Sequence, residues 1–146
     1  MTDVRQALKS ELKELERARD ILAYSYNKCI HTPIDSNLGP EQLESLEALT
    51  SRFARLSDMI IQRIFRYLDR YDLEESGTAR DRINRADKRE IISSAEQFIQ
   101  IRMLRNEIAH EYKSENILQI FERVFALTPE LLDSVDRIVN YVERNI

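Results

Sequence analysis

A chain of 146 residues, 42% hydrophobic and 33% charged, is expected to form one globular domain with a buried core. The formal net charge of −4 argues against indiscriminate nucleic-acid binding through overall charge. A single cysteine excludes an intrachain disulfide and a cysteine-based zinc site, and no apolar run approaches the ~20 residues that span a bilayer.

Only 2 glycines and 3 prolines are present, and turns and sheet corners consume both, so long helices with few loops are expected. The first residues, Met1-Thr2-Asp3-Val4-Arg5-Gln6, open an amphipathic pattern without an apolar signal stretch, so a cytoplasmic protein is expected. Residues 3 to about 30 read as the first helix, with Val4, Leu8, Leu12, Leu15, Ala18, Leu22 and Tyr26 at helical spacing. Cys29 and His31 fall at its end. They read as a small half-buried residue and a histidine beside free helix carbonyls. Turn residues from His31 to Pro40 break the pattern.

Pro40 fits the first position of a second helix, whose stripe runs through Leu43, Leu46, Leu49, Phe53, Leu56, Ile60, Ile64 and Tyr67 to about residue 69. Two such helices joined by a short loop predict an antiparallel hairpin. Residues 70–78 lose the period. A short helix over about 79–91 faces inward through Ala79, Ile83 and Ala86. It carries the densest basic segment, Arg80, Arg82, Arg85, Lys88 and Arg89. A solvated face with alternating ion pairs accounts for it better than an RNA-contacting patch, although arginine suits phosphate recognition.

Ser93 and Glu96 have capping-box spacing for a helix over about 94–113, and a fifth helix is expected over about 115–126. Thr128-Pro129-Glu130 reads as the start of a last helix, with Thr128 as cap and Pro129 in its first turn. The predicted fold is all-α: one domain over 1–146, an antiparallel bundle of four main helices with one or two short ones.

The segment 98–112 holds the chemistry. Phe98, Ile101, Arg105, Ile108 and Tyr112 share one helix face, which places a charge on an otherwise apolar seam. Beside it runs a second seam, Ile99, Met103, Asn106 and His110, apolar at first and polar at its end. Arg105 can bond a phosphate with two N–H groups. An imidazole, with a reference pKa of about 6.5, can move a proton at neutral pH, which suits His110 to acid–base work. Asn106 can orient the imidazole or a phosphate oxygen, and Tyr112 can donate a hydrogen bond or stack on a base. The set suits RNA cleavage through the 2′-OH, which requires no metal or other cofactor. Spacing alone accommodates equally well a buried Arg–Glu pair with a capping histidine.

The pattern Arg105-Asn106-x-x-x-His110-x-Tyr112 resembles the Arg-x4-His-x-Tyr motif of the HEPN superfamily, and specifically of HepT-like toxins. The resemblance extends to chain length, helix order and the position of the motif on a late helix. It implies a small all-α bundle acting as a homodimeric, metal-independent endoribonuclease, with the two motifs meeting at the dimer interface. Arg105 and His110 would be catalytic and Asn106 the polar residue that follows the arginine. HepT-like proteins pair with a nucleotidyltransferase (MntA-like) antitoxin that transfers AMP to the motif tyrosine, which implies Tyr112 as the modification site. A non-catalytic HEPN module that binds the nucleotidyltransferase, or presents its substrate, is the alternative.

Overall fold

The computed structural model describes residues 3–75, 77–110 and 116–146. Among these residues the chain is all-helical, in five helices without a strand. Helix α1 spans Val4–Cys29 and is opened by Asp3, whose carboxylate accepts from the Arg5 N–H at 3.1 Å. The expected stripe packs inward, with Leu8, Leu12, Leu15 and Leu22 buried. Cys29 is buried rather than half-buried, and burial raises its thiol pKa, which keeps it protonated and inert.

Helix α2 starts at Pro40 and runs through Pro40–Asp58, a π-helical stretch Met59–Ile64, and Phe65–Tyr71. Pro40 occupies the first turn, where its missing N–H costs nothing, and the Gln42 side chain accepts from the Gly39 N–H at 3.0 Å. Each π turn inserts one extra residue. The buried stripe accordingly slips from Leu49, Phe53 and Leu56 onto the paired positions Ile60–Ile61 and Ile64–Phe65. Phe65 N–H reaches back to Ile60 O, and the Ile61 carbonyl instead accepts from Nε of buried Arg82 at 3.2 Å.

Helix α3, Ala79–Lys88, opens with a reciprocal capping box: Asp81 N–H donates to Thr78 Oγ1 at 3.1 Å, and Thr78 N–H to Asp81 Oδ2 at 2.9 Å. The Thr78 backbone N–H, and after it the Thr78 side chain, holds the Asp81 carboxyl below its ordinary pKa. The expected continuation to residue 91 does not form. Glu90 turns left-handed at φ 61°, and Ile91 N–H bonds Ala86 O at 3.2 Å, which closes the helix and buries Ile91.

Helix α4 spans Ala95–His110. Its cap is Ser94, one residue later than the expected Ser93: Ser94 Oγ accepts from Gln97 N–H at 3.1 Å, while the Ser93 hydroxyl donates to Glu130 on another helix. Helix α5, Ile117–Asn145, is continuous where two helices with a break at Thr128 are expected. Pro129 lies inside it, and Thr128 is buried, donating from Oγ1 to Val124 O at 2.6 Å instead of capping. One uninterrupted buried stripe, Ile120, Phe121, Val124, Leu131, Val135, Ile138 and Val142, spans the proline, so tertiary packing outweighs the lost N–H.

The most extensive pairing joins α1 to α2, and α5 packs on α1, α2 and α4. Helix α4 also packs on α2 and α3. Phe53, Phe65, Phe98 and Phe121 are the largest wholly buried side chains, and Phe65 and Phe98 join α2 to α4 with ring centroids 6.0 Å apart.

Candidate functional site

On α4 the buried face is Phe98, Ile101 and Leu104, while Arg105 and Ile108 are half-buried. The expected apolar seam through Arg105 is thus displaced by one residue. In a helix, positions 104 and 105 are both about one turn from 101, and the core takes the leucine. Arg105 sits at the margin of the core, where its aliphatic stem packs and its guanidinium reaches a cleft.

Helix α2 supplies its partner. Arg105 Nε meets Asp58 Oδ1 at 2.6 Å and Nη2 meets Asp58 Oδ2 at 2.9 Å, a two-pronged pair. The third nitrogen, Nη1, points to Asn106 Oδ1 at 3.5 Å, the limit of a hydrogen bond. Asp58 therefore fixes the plane of the guanidinium and occupies one edge of its fork, and N–H groups on the other edge remain available to a ligand.

The cleft beside this pair has a volume of about 300 Å³ and lies between α4 and the π-helical stretch of α2. Asp58, Gln62, Arg63, Arg102, Arg105 and Asn106 give it its polar lining. Three arginines face one aspartate, so the cleft is basic within a protein of net charge −4. The π turn matters here, because its extra residue sets where Gln62 and Arg63 project from α2.

Arg105 and Asn106 thus meet in one cleft. His110 does not line it: it is exposed at the end of α4, five residues on, which in a helix is about 140° around the axis and about 7.5 Å along it. Tyr112 lies outside the described residues. On the second seam, Ile99 packs partly on the core and Met103 is 48% exposed.

The basic segment on α3 is largely internal. Asp69 on α2, almost wholly buried, receives Arg85 Nη1 at 3.0 Å and Arg89 Nη1 at 2.8 Å. Arg89 also grips Asp72 from Nη2 at 2.7 Å, and these two carboxylates outweigh the burial that by itself would lower the Arg89 pKa. Arg82 is buried and donates to the carbonyls of Ile61 and Gly77. Arg80 alone of the four is exposed. Of the tentative RNA-binding residues Arg80, Arg82, Arg85 and Arg89, three thus brace α3 against α2 and Arg80 faces solvent.

The basic residues of the cleft carry a weaker signal in the sequence. Arg102 and Arg105 are an i, i+3 pair on one helix, and Arg63 lies alone on another, with Arg66 three residues on at the cleft's border. A larger hollow of about 530 Å³ lies between α1 and α2, where Lys28 and Arg52 balance Glu41 and Glu44. None of the expected site residues borders it. Among the described residues no group of three or more His, Cys, Asp or Glu has metal-binding geometry, and no helix is long and apolar enough to cross a membrane. Compared with protein-family models, curated proteins and solved structures, the chain matches none.

Proposed function

We propose that the chain is a metal-independent endoribonuclease toxin of a toxin–antitoxin pair, similar to HepT-like HEPN proteins and active as a homodimer. The observation that carries this reading is the fixed Arg105 guanidinium at a basic cleft, next to Asn106 and on the same helix as an exposed His110. Four long helices with a short α3 are compatible with the antiparallel bundle of that family.

In the proposed reaction the His110 imidazole of a second copy, brought to the Arg105 cleft across the dimer interface, takes the proton of a ribose 2′-OH. The 2′ oxygen attacks the adjacent phosphorus, and the bond from phosphorus to the 5′ oxygen breaks. Arg105 stabilises the extra negative charge on the phosphorane. The leaving 5′ oxygen receives that proton back from the same imidazolium. The products are a 2′,3′-cyclic phosphate and a 5′-hydroxyl. A second copy is invoked because the imidazole lies outside the cleft within one chain, and exposed Met103 with Ile99 offers an apolar contact for it. The cognate nucleotidyltransferase antitoxin would silence the enzyme by transferring AMP to Tyr112.

The pairing of Arg105 with Asp58 also favours a second reading, because it accounts for the arginine without a substrate. In that reading the chain is a non-catalytic HEPN module that binds the nucleotidyltransferase. Analysis of product ends separates the two. The ribonuclease leaves 2′,3′-cyclic phosphate ends, arrests growth when expressed, and spares RNA carrying 2′-O-methyl groups. Uncut RNA, or 3′-hydroxyl ends, would overturn the proposal.

A further inference from the structure

One wall of the cleft holds more positive charge than its own carboxylates neutralise. The Gln62 side-chain oxygen accepts from Arg66 Nη2 at 3.4 Å and from Arg82 Nη2 at 3.3 Å, so one neutral amide lies between two guanidiniums. Arg82 is buried, and burial first, then the charges of Arg66, Arg102 and Arg85, lowers its pKa. Asp69 opposes that shift. Among the described residues Arg63 has only a long contact to Glu11, 3.7 Å, and Asp58 is committed to Arg105. Among the described residues neither Arg66 nor Arg102 has a carboxylate within ion-pair distance. Both are exposed, so both side chains are free to close on an anion.

We infer that the wall formed by Arg63, Arg66 and Arg102 around Gln62 is a subsite for the phosphodiester groups of single-stranded RNA, next to the Arg105–Asp58 pair. The identity of the polymer rests on the ribonuclease reading, whereas the anion site rests on the charge arrangement alone. Guanidiniums this close repel one another until an anion enters, and a phosphate offers acceptor oxygens to more than one fork at once. Arg63 and Arg102 line the cleft, Arg66 borders it through its bond to Gln62, and the buried Arg82 bonds the π turn at Ile61 O. The subsite would hold phosphates that flank the cut, while Arg105 serves the reacting one.

The test uses the full chain carrying His110→Ala, so that bound RNA stays intact. Binding of a fluorescein-labelled 12-nucleotide oligo(A) RNA is followed by anisotropy across a salt series. Adding Arg66→Gln and Arg102→Gln together is expected to weaken binding at least tenfold. The slope of log K against log salt should fall by about 1.4, since each phosphate contact on a single strand contributes about 0.7. A control with two other exposed arginines changed, Arg5→Gln and Arg144→Gln, should stay within twofold. An equal loss in the control, or none in either, overturns the subsite. Inorganic phosphate or AMP competing as well as the 12-mer would show a free-phosphate site and overturn the polymer assignment. Failure of the subsite remains distinct from failure of the ribonuclease reading. Wild-type protein that cuts RNA while Arg66 and Arg102 prove dispensable sinks the subsite alone. RNA bound through Arg66 and Arg102 but never cut sinks the chemistry alone.

Discussion

Arg105 on α4 and Asp58 on α2 lie 47 positions apart in the chain and are joined by two short hydrogen bonds, 2.6 and 2.9 Å, at the mouth of a basic cleft. Their side chains are 32% and 40% exposed, so solvent screens the pair and its worth to stability is about 1 kcal/mol or less. Arg105→Ala should therefore lower the melting temperature by only about 3 °C. RNA cleavage should fall about 100-fold or more, the scale of losing one group that stabilises transition-state charge. Calorimetry and a cleavage assay on the same preparation check both numbers. A large loss of stability with cleavage intact would make the pair purely structural.

Met103 is exposed on the seam that ends at His110, and the homodimer reading gives it a partner surface. Met103→Glu should leave the fold intact, because the side chain lies outside the core, yet convert a dimer to a monomer in light scattering and abolish cleavage. An unchanged mass with unchanged cleavage would remove this seam from the interface.

Arg82 supports the cleft from beneath. Arg82→Met keeps much of the buried stem but leaves the Ile61 and Gly77 carbonyls without this donor. The expected cost is about 1–3 kcal/mol in chemical denaturation, the range for buried acceptors deprived of a hydrogen bond. A loss below about 0.5 kcal/mol would mean that the π turn does not depend on this arginine.

Pro129 lies within a continuous helix, where proline is about 3 kcal/mol worse than alanine. Pro129→Ala is expected to stabilise the protein by about 1–3 kcal/mol. If Thr128-Pro129 instead began a separate helix, the same change would be neutral or destabilising.

The long amphipathic runs were readable because Leu8, Leu12, Leu15 and Leu22, then Leu46, Leu49, Phe53 and Leu56, keep one period with punctuation at Pro40. The π turn was not readable. Its slip falls on Ile60–Ile61 and Ile64–Phe65, where adjacent apolar residues satisfy either register. Pro129 misled because local proline rules say nothing of the apolar stripe that continues on both sides of it. Arg105 stood out as a charge on an apolar face, but nothing near it in the chain marked Asp58 as its partner. The basic run of α3 was conspicuous for the opposite reason. Its neutralising carboxylates, Asp69 and Asp72, precede it by a loop, while the dispersed Arg63, Arg66 and Arg102 line or border the open cleft.

The central claim is that His110 and Arg105 cut RNA without a metal, and cleavage in the presence of EDTA tests it most directly. Wild-type protein should cut at an undiminished rate in chelator, and His110→Ala, folded by circular dichroism, should not cut at all. Cutting abolished by chelator, or His110→Ala cutting as fast as wild type, would contradict the account.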